Sequence, residues 1–249
     1  MKSGIEAIIF DLGNTLLYFD GDWPEVLERA ELALIYRLQG DGLTIDTGEF
    51  QAEFHAKLIE YYQERDTEFI EYSTLYVLRS LLEKIGYSQV SDRILRQALA
   101  DFYEVTQYHW TIEDDTLATL NTLKRMDYRM GMISNAGDDT DVQDLVDKAG
   151  IRSYFESIIT SAAEGIRKPN PRIFQILLDH WNIPASRTVM VGDTLGADIL
   201  GARNAGIFSV WITRRADTPA NNAHRDTIHA DASIIHLAEL PDLLKQIEP

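Results

Sequence analysis

"TVMVGDTLGADILGARNAGIFSVWIT", residues 188–213, changes structural habit twice within one short run. Residues 188–192 are short and apolar, as a buried strand requires. "GADILGARNAG" then has helical spacing and stops at Gly206, a residue suited to the left-handed end of a helix. "FSVWIT" (208–213) returns to a strand. A strand, a helix and a strand in succession make a parallel pair with a crossover.

The same rhythm extends on both sides. "DDTLATLNTLKRM" reads as a helix, "YRMGMIS" (128–134) as a strand and "DTDVQDLVDKAG" as a helix ended by Gly150. "FESIIT" (155–160) reads as a strand, and "NPRIFQILLDHWN" as a helix entered through Asn170 and Pro171. "HLAELPDLLKQI" is a closing helix, and residues 6–11 are an Ile-rich buried strand. These elements predict a doubly wound α/β core with a parallel sheet, whose ligands bind at the carboxyl ends of its strands.

From about residue 22 to 110 the texture differs. "WPEVLERAELALIYRLQ", "TGEFQAEFHAKLIEYYQER", "TLYVLRSLLEKIG" and "SDRILRQALADFYEVTQYHW" have apolar residues at helical spacing and no clear strand. The expectation is an α/β core formed by 1–17 and 112–249, interrupted at 18–111 by a helical bundle. Polar linkers are expected near 18–22 and 111–116, and these two crossings could act as a hinge that lets the bundle close as a lid.

Composition narrows the function. The chain has 249 residues, 23 Lys plus Arg and 40 Asp plus Glu, for a net charge of −17. Such a surface repels nucleic acid and anionic membrane. There is no cysteine, which excludes a thiolate nucleophile or thiolate metal site. The apolar run at the start is broken by Asp11, so it reads as neither a signal peptide nor a membrane span. A cytoplasmic protein, monomeric or homodimeric, is expected.

Four strand ends or adjacent loops carry polar chemistry: Asp11, the pair Ser134-Asn135, Lys168 in "GIRKPNP", and Asp193 with Asp198 in "GDTLGAD". The fold rule sends all four to one sheet edge. Carboxylates at Asp11 and Asp193 are hard oxygen donors that suit Mg²⁺. A hydroxyl, an amide and a cation at Ser134, Asn135 and Lys168 suit phosphate oxygens.

"IIFDLGNTL", "MISNA", "GIRKPNPRIF" and "VMVGDTLGADILGARNAG" together resemble, in order and spacing, the four motifs of the haloacid dehalogenase-like hydrolases. The helical stretch after the first motif resembles the cap of the phosphoglycolate phosphatase-like subgroup. The resemblance implies a phosphatase for a small phosphorylated metabolite, with Asp11 as nucleophile. Ser134 and Asn135 would hold the phosphoryl group, and Lys168 would neutralise charge. Asp11, the Gly13 carbonyl and Asp193 would ligate Mg²⁺, with Asp198 behind them. One position departs: the phosphatase pattern is Asp-x-Asp-Gly-Thr, and this chain has Asp11-Leu12-Gly13-Asn14-Thr15. The second aspartate of that pattern moves the proton of the reaction, worth ~10²–10⁴-fold in rate. The space beside Gly13 could hold a water, and Asn14 tolerates left-handed backbone. Dehalogenases of the family carry a bulky aromatic there and need no metal. Halide hydrolysis, or a weakened protein that only binds a phosphorylated ligand or a partner, are the alternatives.

The remaining polar and aromatic residues read more plainly. Tyr36, Phe54, Tyr61, Tyr62, Phe69, Tyr72, Tyr76, Phe102, Tyr103, Tyr108 and Trp110 are read as bundle core. Asp20 and Asp22 are read as solvated loop carboxylates, and the histidines show no metal-ligand spacing, with "HRDTIHADA" (224–232) on the surface.

Overall fold

The computed structural model describes residues 4–247, without the side chains of residues 62–68. The chain runs β1 (Ala7–Phe10), β2 (Leu17–Phe19), α1 (Trp23–Gly40), α2 (Thr47–Glu68), α3 (Thr74–Lys84), α4 (Asp92–Gln107) and β3 (Trp110–Ile112). It continues through α5 (Thr116–Arg125), β4 (Arg129–Ser134), α6 (Asp139–Lys148), β5 (Ser157–Thr160), α7 (Ser161–Glu164) and α8 (Pro171–Trp181). After β6 (Thr188–Gly192), a π-helical turn at Leu195–Ile199 leads into α9 (Leu200–Ala205). The rest is β7 (Phe208–Ile212), α10 (Pro219–Asn222), β8 (Ala232–Ile234) and α11 (Leu240–Ile247).

Six strands form one parallel sheet in the order β5-β4-β1-β6-β7-β8. Both faces are covered, so β1 is apolar at every position. Ile8 and Phe10 pack with Leu123, Val142 and Leu240 on one face. Ala7 and Ile9 pack with Phe174, Leu177 and Trp181 on the other. α8 begins as expected: Asn170 accepts a hydrogen bond from the Arg172 N–H at 3.1 Å, and Pro171 opens the first turn. β1 lies between β4 and β6, so the chain leaves it toward opposite sides of the sheet. That switch point opens a crevice at the strand ends. Among the described residues, no helix is long and apolar enough to cross a membrane.

Helices α1–α4 form a bundle with its own core, including Leu34, Leu38, Phe54, Leu58, Leu81 and Phe102. The two crossings into this bundle are not free linkers. β2 and β3 pair antiparallel, Leu17 opposite Ile112 and Phe19 opposite Trp110. Each strand has three residues, too few for periodicity to reveal, and the pairing spans the whole bundle. β8 escaped notice for the same reason.

The aromatic residues of the bundle divide. Phe54, Tyr61 and Phe102 are core, and Tyr103 packs beside them. Tyr36, Phe69, Tyr72, Tyr76 and Tyr108 are exposed, contrary to expectation, because they lie off the apolar stripe of their helices or in the connections between them. The Tyr62 side chain lies outside the described residues.

Candidate active site

The crevice at the switch point is a cavity of about 290 Å³. Asp11, Gly13, Ser134, Asn135, Lys168, Asp193 and Asp198 all line it. Each arrives by a local device. The Asp11 N–H donates to the Val191 carbonyl at 2.9 Å, which carries the β1–β6 alignment one residue past the strand. The chain then turns through Asn14, whose φ of 56° is the left-handed conformation that asparagine tolerates. The Asp193 carbonyl is held by Trp211 Nε1 at 2.8 Å and Asn221 Nδ2 at 2.9 Å. Asp198 sits in the π-helical turn, and its Oδ2 accepts from the Thr194 N–H at 2.9 Å.

Lys168 is the hub. Its buried Nζ lies 2.6 Å from Asp11 Oδ1 and 2.7 Å from Asp198 Oδ1, and donates to the Ile133 carbonyl at 2.7 Å. Burial pulls the Lys168 ammonium down, but Asp11 and Asp198 together outweigh it and hold it above the usual lysine range. Burial pushes the Asp11 carboxyl up to about 6 against the pull of Lys168, and the nearby Asp198 adds to the rise. Asp193 is raised well above the usual range by burial first, then by Asp11 and Asp198. Carboxylate oxygens of Asp11, Asp193 and Asp198 lie within 4.8 Å of one another. Three buried carboxylates against one lysine leave surplus negative charge. A small divalent cation fits such an oxygen-only set.

Three details refine the sequence expectation. The Asn135 side chain is not free for a ligand. Its Oδ1 accepts from the Lys168 N–H and its Nδ2 donates to the Lys168 carbonyl, both at 2.9 Å, so it fixes the lysine's backbone. Asp198 is engaged first with Lys168 and Thr194. And the space beside Gly13 is bounded by an aromatic ring. A Cβ built on Gly13 would meet the Trp110 indole at 3.2 Å. Trp110 comes from β3, 97 positions later, and no local signal ties it to Gly13.

Other neighbours were also unforeseen. Arg167 and Asp141 line the same cavity. Glu71, in the connection between α2 and α3, reaches down from the bundle: its Oε2 accepts from Ser161 Oγ at 2.7 Å and lies 3.6 Å from Arg167 Nη1. Bundle and core also meet where the Thr74 N–H donates to the Gly137 carbonyl at 2.7 Å. Asp20 and Asp22 are exposed, and Asp22 caps α1 through Glu25, as their reading as solvated carboxylates predicts. His224 and His229 are exposed.

The chain matches known proteins over most of its length. It is 30% identical over 208 residues to a glyceraldehyde 3-phosphate phosphatase of Pyrococcus abyssi, covering 83% of this chain and 81% of that one. It is 28% identical over 250 residues to an N-acylneuraminate-9-phosphatase of Rattus norvegicus, covering 99% and 96%. The solved structure of a 2-haloacid dehalogenase from Pseudomonas syringae pv. Tomato DC3000 superposes with a TM-score of 0.66 at 27% identity, over 97% of this chain and 99% of that one. The family model for haloacid dehalogenase-like hydrolases matches residues 5–206, and with the parallel sheet and the cavity at its switch point, this chain belongs to that hydrolase family.

Proposed function

We propose that the protein is a Mg²⁺-dependent phosphatase acting on a small phosphorylated metabolite, with Asp11 as the nucleophile. One observation carries the reading: a buried carboxylate at the switch point is paired with Lys168 and stands beside Asp193 in a cavity large enough for a small ester. The phosphatase names of relatives matching 83% and 99% of this chain support it. Asp11, Asp193 and the Gly13 main chain would hold Mg²⁺, with Asp198 behind them. When bound, the ion supplies positive charge that screens the carboxylate from its anionic target.

The chain's own residues do the rest. Asp11 attacks phosphorus while the bond from phosphorus to the leaving oxygen breaks, giving an aspartyl-phosphate. The Ser134 hydroxyl and the Asn135 backbone hold phosphoryl oxygens, and Lys168 balances their charge. Water then attacks the same phosphorus, inorganic phosphate leaves, and the Asp11 carboxylate is restored. Residues 18–111 act as a cap that limits water and selects the substrate, over a core of 1–17 and 112–249. The test is phosphate release from a panel of small phosphate esters, with and without Mg²⁺, by wild type and Asp11→Asn. Release should need Mg²⁺ and vanish in the variant. Equal release by both proteins refutes the reading.

The Trp110 indole against Gly13 favours a second reading, because an aromatic beside the nucleophile shields a carbon–halogen substrate from water. Halide release from 2-haloacids without Mg²⁺, exceeding phosphate release, would replace the first reading.

A further inference from the structure

The carboxyl groups lining the cavity fall into two sets. Asp11, Asp193 and Asp198 cluster with Lys168. Asp141 stands apart. It is the third residue of α6, and its N–H donates to the Asp138 side chain at 3.1 Å. Its Oδ1 accepts from Gln107 Nε2 at 2.7 Å, and the Lys148 ammonium donates to Gln107 Oε1. Gln107 is the last residue of α4, so bundle and core together aim this carboxyl. Asp141 also lines a second cleft of about 260 Å³, between α4 and α6. It therefore borders both the Asp11 cavity and the cleft between α4 and α6.

We propose that Asp141 is the general acid and base of the Asp11 reaction, performing the proton transfers that Gly13 cannot. The proposal rests on the phosphatase reading above. As the bond from phosphorus to the leaving oxygen breaks, the neutral Asp141 carboxyl gives its proton to that oxygen. The resulting carboxylate then takes a proton from the water that attacks phosphorus in the aspartyl-phosphate. Phosphate departs, Asp11 is free, and Asp141 is again neutral, so protons balance over the cycle.

The other groups in the cavity are unsuited to this work. Lys168 is locked between two carboxylates. Arg167 keeps its proton at any working pH. The Trp110 indole, which borders Gly13, is no acid. Asp141 is tuned for the task. Its carboxyl is raised to about 7, by burial above all and by Asp138 and Asp144, against the pull of the Gln107 hydrogen bond and of Lys148. Arg96 and Glu104 face the same cleft from α4. A group that titrates near neutrality is present in both forms during turnover.

The experiment measures kcat/KM against pH for an alkyl phosphate and for aryl phosphates with leaving phenols of graded acidity, using wild type, Asp11→Asn, Asp141→Asn and Asp141→Glu. Asp141→Asn should lose the pH limb near neutrality. It should fall about 10²–10⁴-fold on the alkyl ester and less than about tenfold on the most acidic phenol. Asp141→Glu, which keeps a carboxyl, should retain a limb and a flatter dependence on the leaving group. A uniform loss across the series, or none, overturns the proposal while Asp11→Asn is still inactive. Equal activity in wild type and Asp11→Asn would instead refute the phosphatase reading itself.

Discussion

Gly192 closes β6 directly behind the Asp198 carboxylate, and a single methyl group there should disable the site. A Cβ on Gly192 would lie 2.3 Å from Asp198 Cγ and 2.4 Å from Oδ2, both far inside ordinary contact. To clear it, Asp198 must withdraw by about 1 Å, since carbon contacts settle near 3.5–4 Å. That movement breaks the 2.7 Å pair with Lys168 and the 2.9 Å hydrogen bond from Thr194. Breaking a buried ion pair costs about 3–5 kcal/mol. For a chain of this size each kcal/mol moves Tm by about 2–4 °C, so Gly192→Ala should melt about 10 °C lower. Lys168 loses one of its two carboxylate anchors, and a displacement of 1 Å near the chemistry costs about 10²-fold in rate. Thermal unfolding followed by circular dichroism reads the first effect, and steady-state phosphate release the second. A Tm within 2 °C of wild type with turnover within about threefold would mean that Asp198 does not organise Lys168, and the reasoning would fail.

The contact between Gly13 and Trp110 predicts a coupled pair: Gly13→Asp alone should destabilise the fold by about 1–3 kcal/mol through overpacking, and Trp110→Leu should relieve at least about 1 kcal/mol of that in a double-mutant cycle. Additive effects would show that the indole is not in the way. Asp141 links stability to pH. Its folded-state carboxyl titrates near 7 against an ordinary 3.8, so its contribution is full below about pH 4 and is lost as pH rises through 7. The loss is about 4 kcal/mol unscreened and about 2 kcal/mol once cavity water is counted. The Tm of Asp141→Asn should therefore gain on wild type by about 5 °C between pH 4 and pH 8, and a pH-independent gap would contradict it. Glu71→Ala removes a carboxylate 3.6 Å from Arg167 and the partner of Ser161, so it should lower stability by about 3 kcal/mol in denaturant titration. A change below about 0.5 kcal/mol would show that this link between bundle and core carries no stability.

Much of the molecule is legible in its sequence because local rules suffice. Short, largely apolar runs at 7–10 and 188–192 read as strands covered on both faces. The helices of the bundle follow from 3.6-residue periodicity, and Asn170, Pro171 and Gly206 mark helix ends by their backbone preferences. Strand-end chemistry at Asp11, Ser134, Lys168, Asp193 and Asp198 follows from alternation of strand and helix, since that alternation forces a parallel sheet with one active edge. The residues that the sequence does not reveal act across distance. Trp110 meets Gly13 only because β2 and β3 pair across an entire bundle. Asn135 turns from the cavity to Lys168 because a backbone 33 positions away offers it both a donor and an acceptor. Asp141 looks like an ordinary first-turn carboxylate, and burial between α4 and α6 is the largest cause that moves its proton toward neutrality. Periodicity and turn chemistry are properties of neighbours in the chain, so the sequence by itself determined five strands of the main sheet, the helices of the bundle and the acidic edge. Which groups share a cavity, and how burial sets their protons, is a property of neighbours in space, and the tertiary structure alone decided it.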